Sequence, residues 1–138
     1  MVLDTSIVVA GFRSRHGASD LLLEHVAQGV IHLLVTTALF LEYEDVLLRP
    51  EHRLVTGMSE RDVERALAAL ASAAEPVEVH FRWRPQLRDP ADELVLEAAV
   101  NGRAEALVTH NLRHFETAAK RFQLRVLTPQ QCLQEIKP

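Results

Sequence analysis

Four short stretches of this chain set acids or amides beside apolar runs. They are V-L-D-T-S-I-V-V-A-G around Asp4, L-E-Y-E-D-V-L-L-R-P around Glu42, R-D-P-A-D-E-L-V-L-E-A-A around Asp89 and Asp92, and L-V-T-H-N-L-R-H-F from Thr109 through Asn111 to His114. The first puts the carboxylate of Asp4 at the end of a short apolar strand, next to the hydroxyls of Thr5 and Ser6. Ligands of open α/β sheets bind at the carboxyl ends of strands, so an acid there is placed for chemistry. The competing role is a turn, which Asp and Ser both suit.

The other acids are read from helical projection. In a helix beginning near Thr37, Leu39, Tyr43, Val46 and Leu47 share one stripe; Glu42 borders it, Glu44 lies on the opposite border and Asp45 points away. Glu42 is therefore either a site acid turned toward the sheet or a surface glutamate whose stem covers apolar neighbours. Asp92 shares its face with Val95, Leu96 and Ala99, in the middle of an apolar stripe. A buried carboxylate needs partners, protonation or a cation, which makes Asp92 the strongest functional candidate on physical grounds. Asp89, followed by Pro90, also makes a good helix start, and capping and ligation do not exclude each other there. Asn111 has a competing role as a helix cap, and His114, one turn on, as a solvated or phosphate-contacting histidine.

These residues need a scaffold of alternating elements. Short Val- and Leu-rich segments predict strands at Val2 to Asp4, His32 to Thr36, Val77 to His80, Ala106 to Thr109 and Leu124 to Leu127. Helices are predicted at about Ala18 to Gln28, Thr37 to Leu48, Ser59 to Ala73, Pro90 to Asn101, Leu112 to Phe122 and Pro129 to Ile136. That order predicts an α/β fold with a mainly parallel sheet and helices on both faces, and places the Ala-rich Ser59 helix on the outside.

Composition frames the same picture. The 138 residues suit one domain, and 48% hydrophobic with 25% charged residues is the profile of a globular protein. No apolar run reaches the length of a spanning helix and no basic stretch precedes the first apolar residues, so a cytoplasmic location is expected. The single Cys132 is expected to act as a small buried hydrophobe. A net charge of −4 argues against a protein that coats nucleic acid non-specifically. It leaves room for a nuclease whose acids bind cations, with basic groups gathered on one face.

Taken in order, the four stretches resemble those of PIN-domain proteins, of the kind found as toxins of prokaryotic toxin–antitoxin pairs, over nearly the whole chain. The resemblance implies a three-layer α/β/α sandwich and a single domain over 1–138. It also implies an acidic pocket that binds Mg²⁺ or Mn²⁺ and cuts single-stranded RNA. Asp4, Glu42 and Asp92 would hold the cation, and Asp89 would extend the site or orient the attacking water. Thr5, Ser6, Thr109, Asn111 and His114 would serve as supporting or substrate contacts. The implied partners are RNA and a protein antitoxin, with a homodimer left open and no membrane. One departure stands out: family members commonly carry another aspartate where Asn111 or His114 stands, which leaves open a one-metal mechanism, a weaker second site or reduced activity.

Two other classes follow from that departure and from Asp4. One is a PIN-like module that binds RNA or protein with an incomplete site. The other is a phosphate-transfer enzyme using Asp4 as nucleophile, although the haloacid-dehalogenase pattern wants a second aspartate where Ser6 stands. The segment F-R-W-R-P-Q-L-R adds Arg82, Arg84 and Arg88 around Trp83, the residue types that grip phosphates and stack bases, or simply an exposed basic loop.

Overall fold

The structure, a computed structural model, describes residues 1–14, 16–82 and 84–136. Along the chain run β1 (Val2–Leu3), α1 (Thr5–Arg13), α2 (Ala18–Ala27), β2 (Leu33–Val35), α3 (Thr37–Leu48), α4 (Pro50–Thr56), α5 (Glu60–Ala73) and β3 (Ala74–Pro76). They are followed by α6 (Pro90–Asn101), β4 (Leu107–Val108), α7 (Leu112–Phe122), β5 (Val126–Leu127) and α8 (Pro129–Ile136). The strand ladders are parallel: β1 pairs with β4, β4 with β5, and β2 with β3. A backbone bond from Leu34 N to the Met1 carbonyl (2.8 Å) joins the two ladders. The resulting order is β3-β2-β1-β4-β5, with helices around the sheet in a three-layer α/β/α arrangement.

This order fixes where a site can form. The chain builds outward from β1 through β2 to β3, then crosses back to place β4 on the other side of β1. The order reverses between β1 and β4, and such a reversal opens a crevice at the strands' carboxyl ends. Asp4 and Thr109 are the next residues after those two strands, and the register Leu3 to Val108 sets them side by side.

Local sequence explains most helix starts. Thr36 Oγ1 accepts from Leu39 N (3.0 Å) at the start of α3, Ser59 and Asp62 form a reciprocal capping box on α5, and Asp89 precedes Pro90 on α6. Gly57 ends α4 with φ 73°, a left-handed conformation that glycine adopts without strain. The core gathers Leu3, Ile7, Leu22, Leu39, Tyr43 and Phe115, and Cys132 is buried and free, as expected of a small hydrophobe. Helix α5 buries only Val63, Leu67 and Leu70 and leaves the rest of its surface outward.

Three differences from the sequence reading have physical causes. Helix α1 begins directly after Asp4, although Ile7, Val8 and Val9 are β-branched; their burial outweighs their weak helix preference. Helix α4 buries none of its residues, so it has no apolar periodicity to read. The third strand is Ala74–Pro76 rather than Val77 to His80, because α5 ends directly against β2. Pro76 is tolerated since β3 lies at the sheet edge. Among the described residues no helix is long and apolar enough to cross a membrane.

Candidate active site

Asp4 stands at the cap position of α1, yet its side chain caps nothing. Its Oδ2 instead accepts hydrogen bonds from Ser6 Oγ (3.0 Å) and Thr109 Oγ1 (2.6 Å), while the residue is only 5% exposed. Asp89 is the opposite case: exposed, with its side chain accepting from Ala91 N (2.9 Å), it caps α6. The turn or cap reading therefore explains Asp89 and fails for Asp4. Thr109 is fully buried and also accepts from Asn111 N (2.9 Å), which ties the β4–α7 turn to the same hydroxyl.

Asp92, one turn into α6, is 8% exposed and its Oδ2 lies 3.1 Å from His114 Nδ1 on α7. Burial pushes its carboxyl above the ordinary value of 3.8, and the charges of Asp4 and Asp89 push the same way against a smaller opposing pull from His114. The charges of Asp4 and Asp89 are thus both felt at Asp92. From the α3 side, Tyr43 Oη donates to the Leu3 carbonyl, and burial with the Asp4 charge raises its phenol strongly. Beside these acids lies a cavity of about 520 Å³, lined by Asp89 and Asp92, by Arg113, His114 and Thr117 of α7, and by residues 86–88.

The remaining candidates fall as follows. Thr5 Oγ1, directly after Asp4, is buried without a hydrogen-bond partner among the described residues. Asn111 occupies the cap position of α7, but its side chain makes no capping bond; only its backbone N–H serves the turn. Glu42 is half-buried on α3 and has no hydrogen bond or ion pair among the described residues, so nothing ties it to Asp4 or Asp92. Glu44 is also half-buried, and Asp45 is exposed and paired with Arg49. Of the basic segment, Arg84 is held by Glu97 and Arg88 lines the cavity; Trp83 lies outside the described residues.

Sequence reasoning missed a polar ladder on α6. Glu93 accepts from Gln86 N (2.6 Å) and Leu87 N (2.8 Å), Glu97 takes both Nε and Nη2 of Arg84, and Asn101 Oδ1 accepts from His80 N and Phe81 N (2.9 Å each). These residues recur every four positions and strap His80, Phe81, Arg84, Gln86 and Leu87 along the helix, and Gln86 and Leu87 line the cavity. The signal was available: Glu97 sits among Val95, Leu96, Ala98 and Ala99, all buried.

The PIN domain family profile matches residues 1–113. The chain belongs to the PIN domain family. PIN domains have a nuclease fold, and no curated protein otherwise matches this chain. In this PIN domain the buried acids sit at the sheet's point of reversal, where the fold alone would place a site.

The donor set of this PIN domain suits a hard cation. Asp4 and Asp92 each leave Oδ1 without a hydrogen-bond partner among the described residues, and the charge they share is what a divalent ion would neutralise. No group of three or more His, Cys, Asp or Glu is arranged to hold an ion among those residues. Mg²⁺ does not require one, since it is commonly bound through one or two carboxylates, waters and substrate phosphate.

Proposed function

We propose that this chain is a divalent-cation-dependent endoribonuclease that hydrolyses phosphodiester bonds of single-stranded RNA, and that it is a toxin silenced by a protein antitoxin. The observation that carries the nuclease reading is the burial of Asp4 and Asp92 together at the reversal of strand order, with Asp4 raising the pKa of Asp92. Asp4 and Asp92 would hold Mg²⁺ or Mn²⁺, with Glu42 as a further ligand from α3. The ion would activate water and offset the charge that builds on the phosphorane. Ser6 and Thr109 fix the rotamer of Asp4 and leave its other oxygen for the ion. His114 does the same for Asp92, and Asp89, at the cavity wall, would orient the attacking water.

The test is cleavage of single-stranded RNA by the purified chain. Activity in Mn²⁺ or Mg²⁺ is expected, with loss on EDTA addition and near-complete loss in Asp4→Ala. Equal degradation by wild type and Asp4→Ala overturns the reading. The toxin role rests on the family resemblance; growth arrest on expression, relieved by the product of a small adjacent reading frame, is the expected result.

One observation favours a second reading, a catalytically weakened module that binds RNA or protein. His114, standing where family members often have an acid, engages Asp92 by hydrogen bond. RNA binding by the wild type without cleavage in either metal would select this reading.

A further inference from the structure

We infer that the cavity beside Asp92 is a phosphate subsite that grips the RNA backbone away from the bond being cut, with Arg88 and Arg113 as its cations. The inference rests on the nuclease reading and names how that site would hold its substrate.

The first observation is size. At about 520 Å³ the cavity is far larger than a hydrated cation needs, and it lies within the roughly 300–1,000 Å³ of sites that take whole small molecules. The second is charge. Asp89 and Asp92 line the cavity together with Arg88, from the segment before α6, and Arg113, from α7. With Asp4 and the proposed ligand Glu42 counted, two arginines and a divalent ion balance four carboxylates, so the loaded site no longer repels an anion and its two guanidiniums are left to attract one.

The third is availability. Arg84 is spent on Glu97, and Arg121 Nη1 donates to Gln86 Oε1 (2.9 Å). Arg88 and Arg113 make no hydrogen bond or ion pair among the described residues. Both side chains are exposed, yet their backbones are pinned. Glu93 holds the two amides just before Arg88, and the Asp89 cap holds the turn just after it. Arg113 lies between Asn111, whose N–H is tied to Thr109, and His114, tied to Asp92. The groups that orient the acids therefore orient the stems of both guanidiniums. Such preorganisation lowers the ordering cost of gripping a flexible strand. Guanidinium also suits phosphate oxygens through paired N–H donors.

The test separates binding from cleavage. Fluorescence anisotropy of a labelled single-stranded RNA is followed with Ca²⁺ in place of the catalytic ion, across a salt series, for wild type, Arg88→Ala/Arg113→Ala and the remote control Arg61→Ala/Arg65→Ala. The double variant is expected to bind about tenfold more weakly or worse. Its log–log salt slope should be shallower by about 0.7–1.4, the change for one or two lost phosphate contacts. The control should match wild type, and 5′-AMP should displace RNA only weakly, because the site reads a phosphate within a chain. Wild-type affinity and slope in the double variant overturn the subsite, as does AMP binding as tight as that of RNA. Cleavage in Mn²⁺ is read separately. If the wild type cuts no RNA while binding still depends on both arginines, the nuclease reading falls and the subsite stands. If the double variant cuts with unchanged KM, the subsite falls and the nuclease stands.

Discussion

Thr109→Val isolates one hydroxyl at the centre of the site. Valine keeps the volume and β-branching of threonine, so packing around this fully buried side chain is retained. What disappears is the 2.6 Å donation to Asp4 Oδ2 and the acceptor for Asn111 N at 2.9 Å. A hydrogen bond to a charged acceptor contributes about 1.5–3 kcal/mol. The Asn111 N–H lies in an exposed turn, where water replaces its partner at little further cost. The methyl that replaces the hydroxyl returns about 0.8 kcal/mol by burial. The net loss is about 1.5 kcal/mol, which for a domain of this size lowers Tm by about 6 °C. Thr109→Ser is the matched comparison: it keeps the hydroxyl and loses one buried methyl, at about 1 kcal/mol. Urea denaturation with constant m-value gives both differences. Because Asp4 also loses a group that fixes its rotamer, cleavage by Thr109→Val should fall about 10–100-fold, the range seen when such supporting partners are removed. If Thr109→Val is as stable as wild type, or less damaged than Thr109→Ser, the hydroxyl does not hold Asp4 and this account of the site fails.

Asp92→Asn tests the charge cluster through pH. The folded carboxyl titrates above its ordinary 3.8, so its contribution to stability is fully present below that value and is lost as pH rises through the raised one. At neutral pH in EDTA the variant should therefore melt at or above wild type, with the advantage shrinking toward pH 3; in Mn²⁺ the order should reverse, because only wild type gains fully from the ion. An equal Mn²⁺ response in thermal melts counts against Asp92 as a ligand. His114→Asp should tighten Mn²⁺ binding, measured by calorimetry, and raise cleavage; unchanged affinity would show that the missing acid does not limit the site. Arg84→Met strands the buried Glu97 carboxylate and should cost about 1–2 kcal/mol in urea melts, allowing for the 43% exposure of Arg84, and the loosened strap should raise KM for RNA. A variant with wild-type stability and KM would show that the strap does not shape the cavity.

The α/β class, the helices α3, α6 and α7, and the burial of Asp92 were legible in the sequence, whereas α1, which carries Thr5 and Ser6, was not. Helical periodicity and capping chemistry act over four residues or fewer, so α3, α6 and α7 could be bounded from local pattern alone. Asp92 announced itself because a carboxylate among Val95, Leu96 and Ala99 needs an explanation whatever it packs against. Local pattern could not say whether Asp4 or Asp89 was the cap, since both precede helices; the neighbours that decided it, Thr109 for Asp4 and Ala91 for Asp89, lie 105 and 2 residues away. Nor could it show the strap, where Glu93, Glu97 and Asn101 bind a segment without periodicity of its own. The cavity is a property of two helices and a loop meeting at the reversal of strand order. Periodicity fixes which face of an element is buried, whereas only the packed sheet fixes which faces meet; that second choice brought His114 to Asp92 and left Glu42 without a hydrogen bond to either aspartate among the described residues.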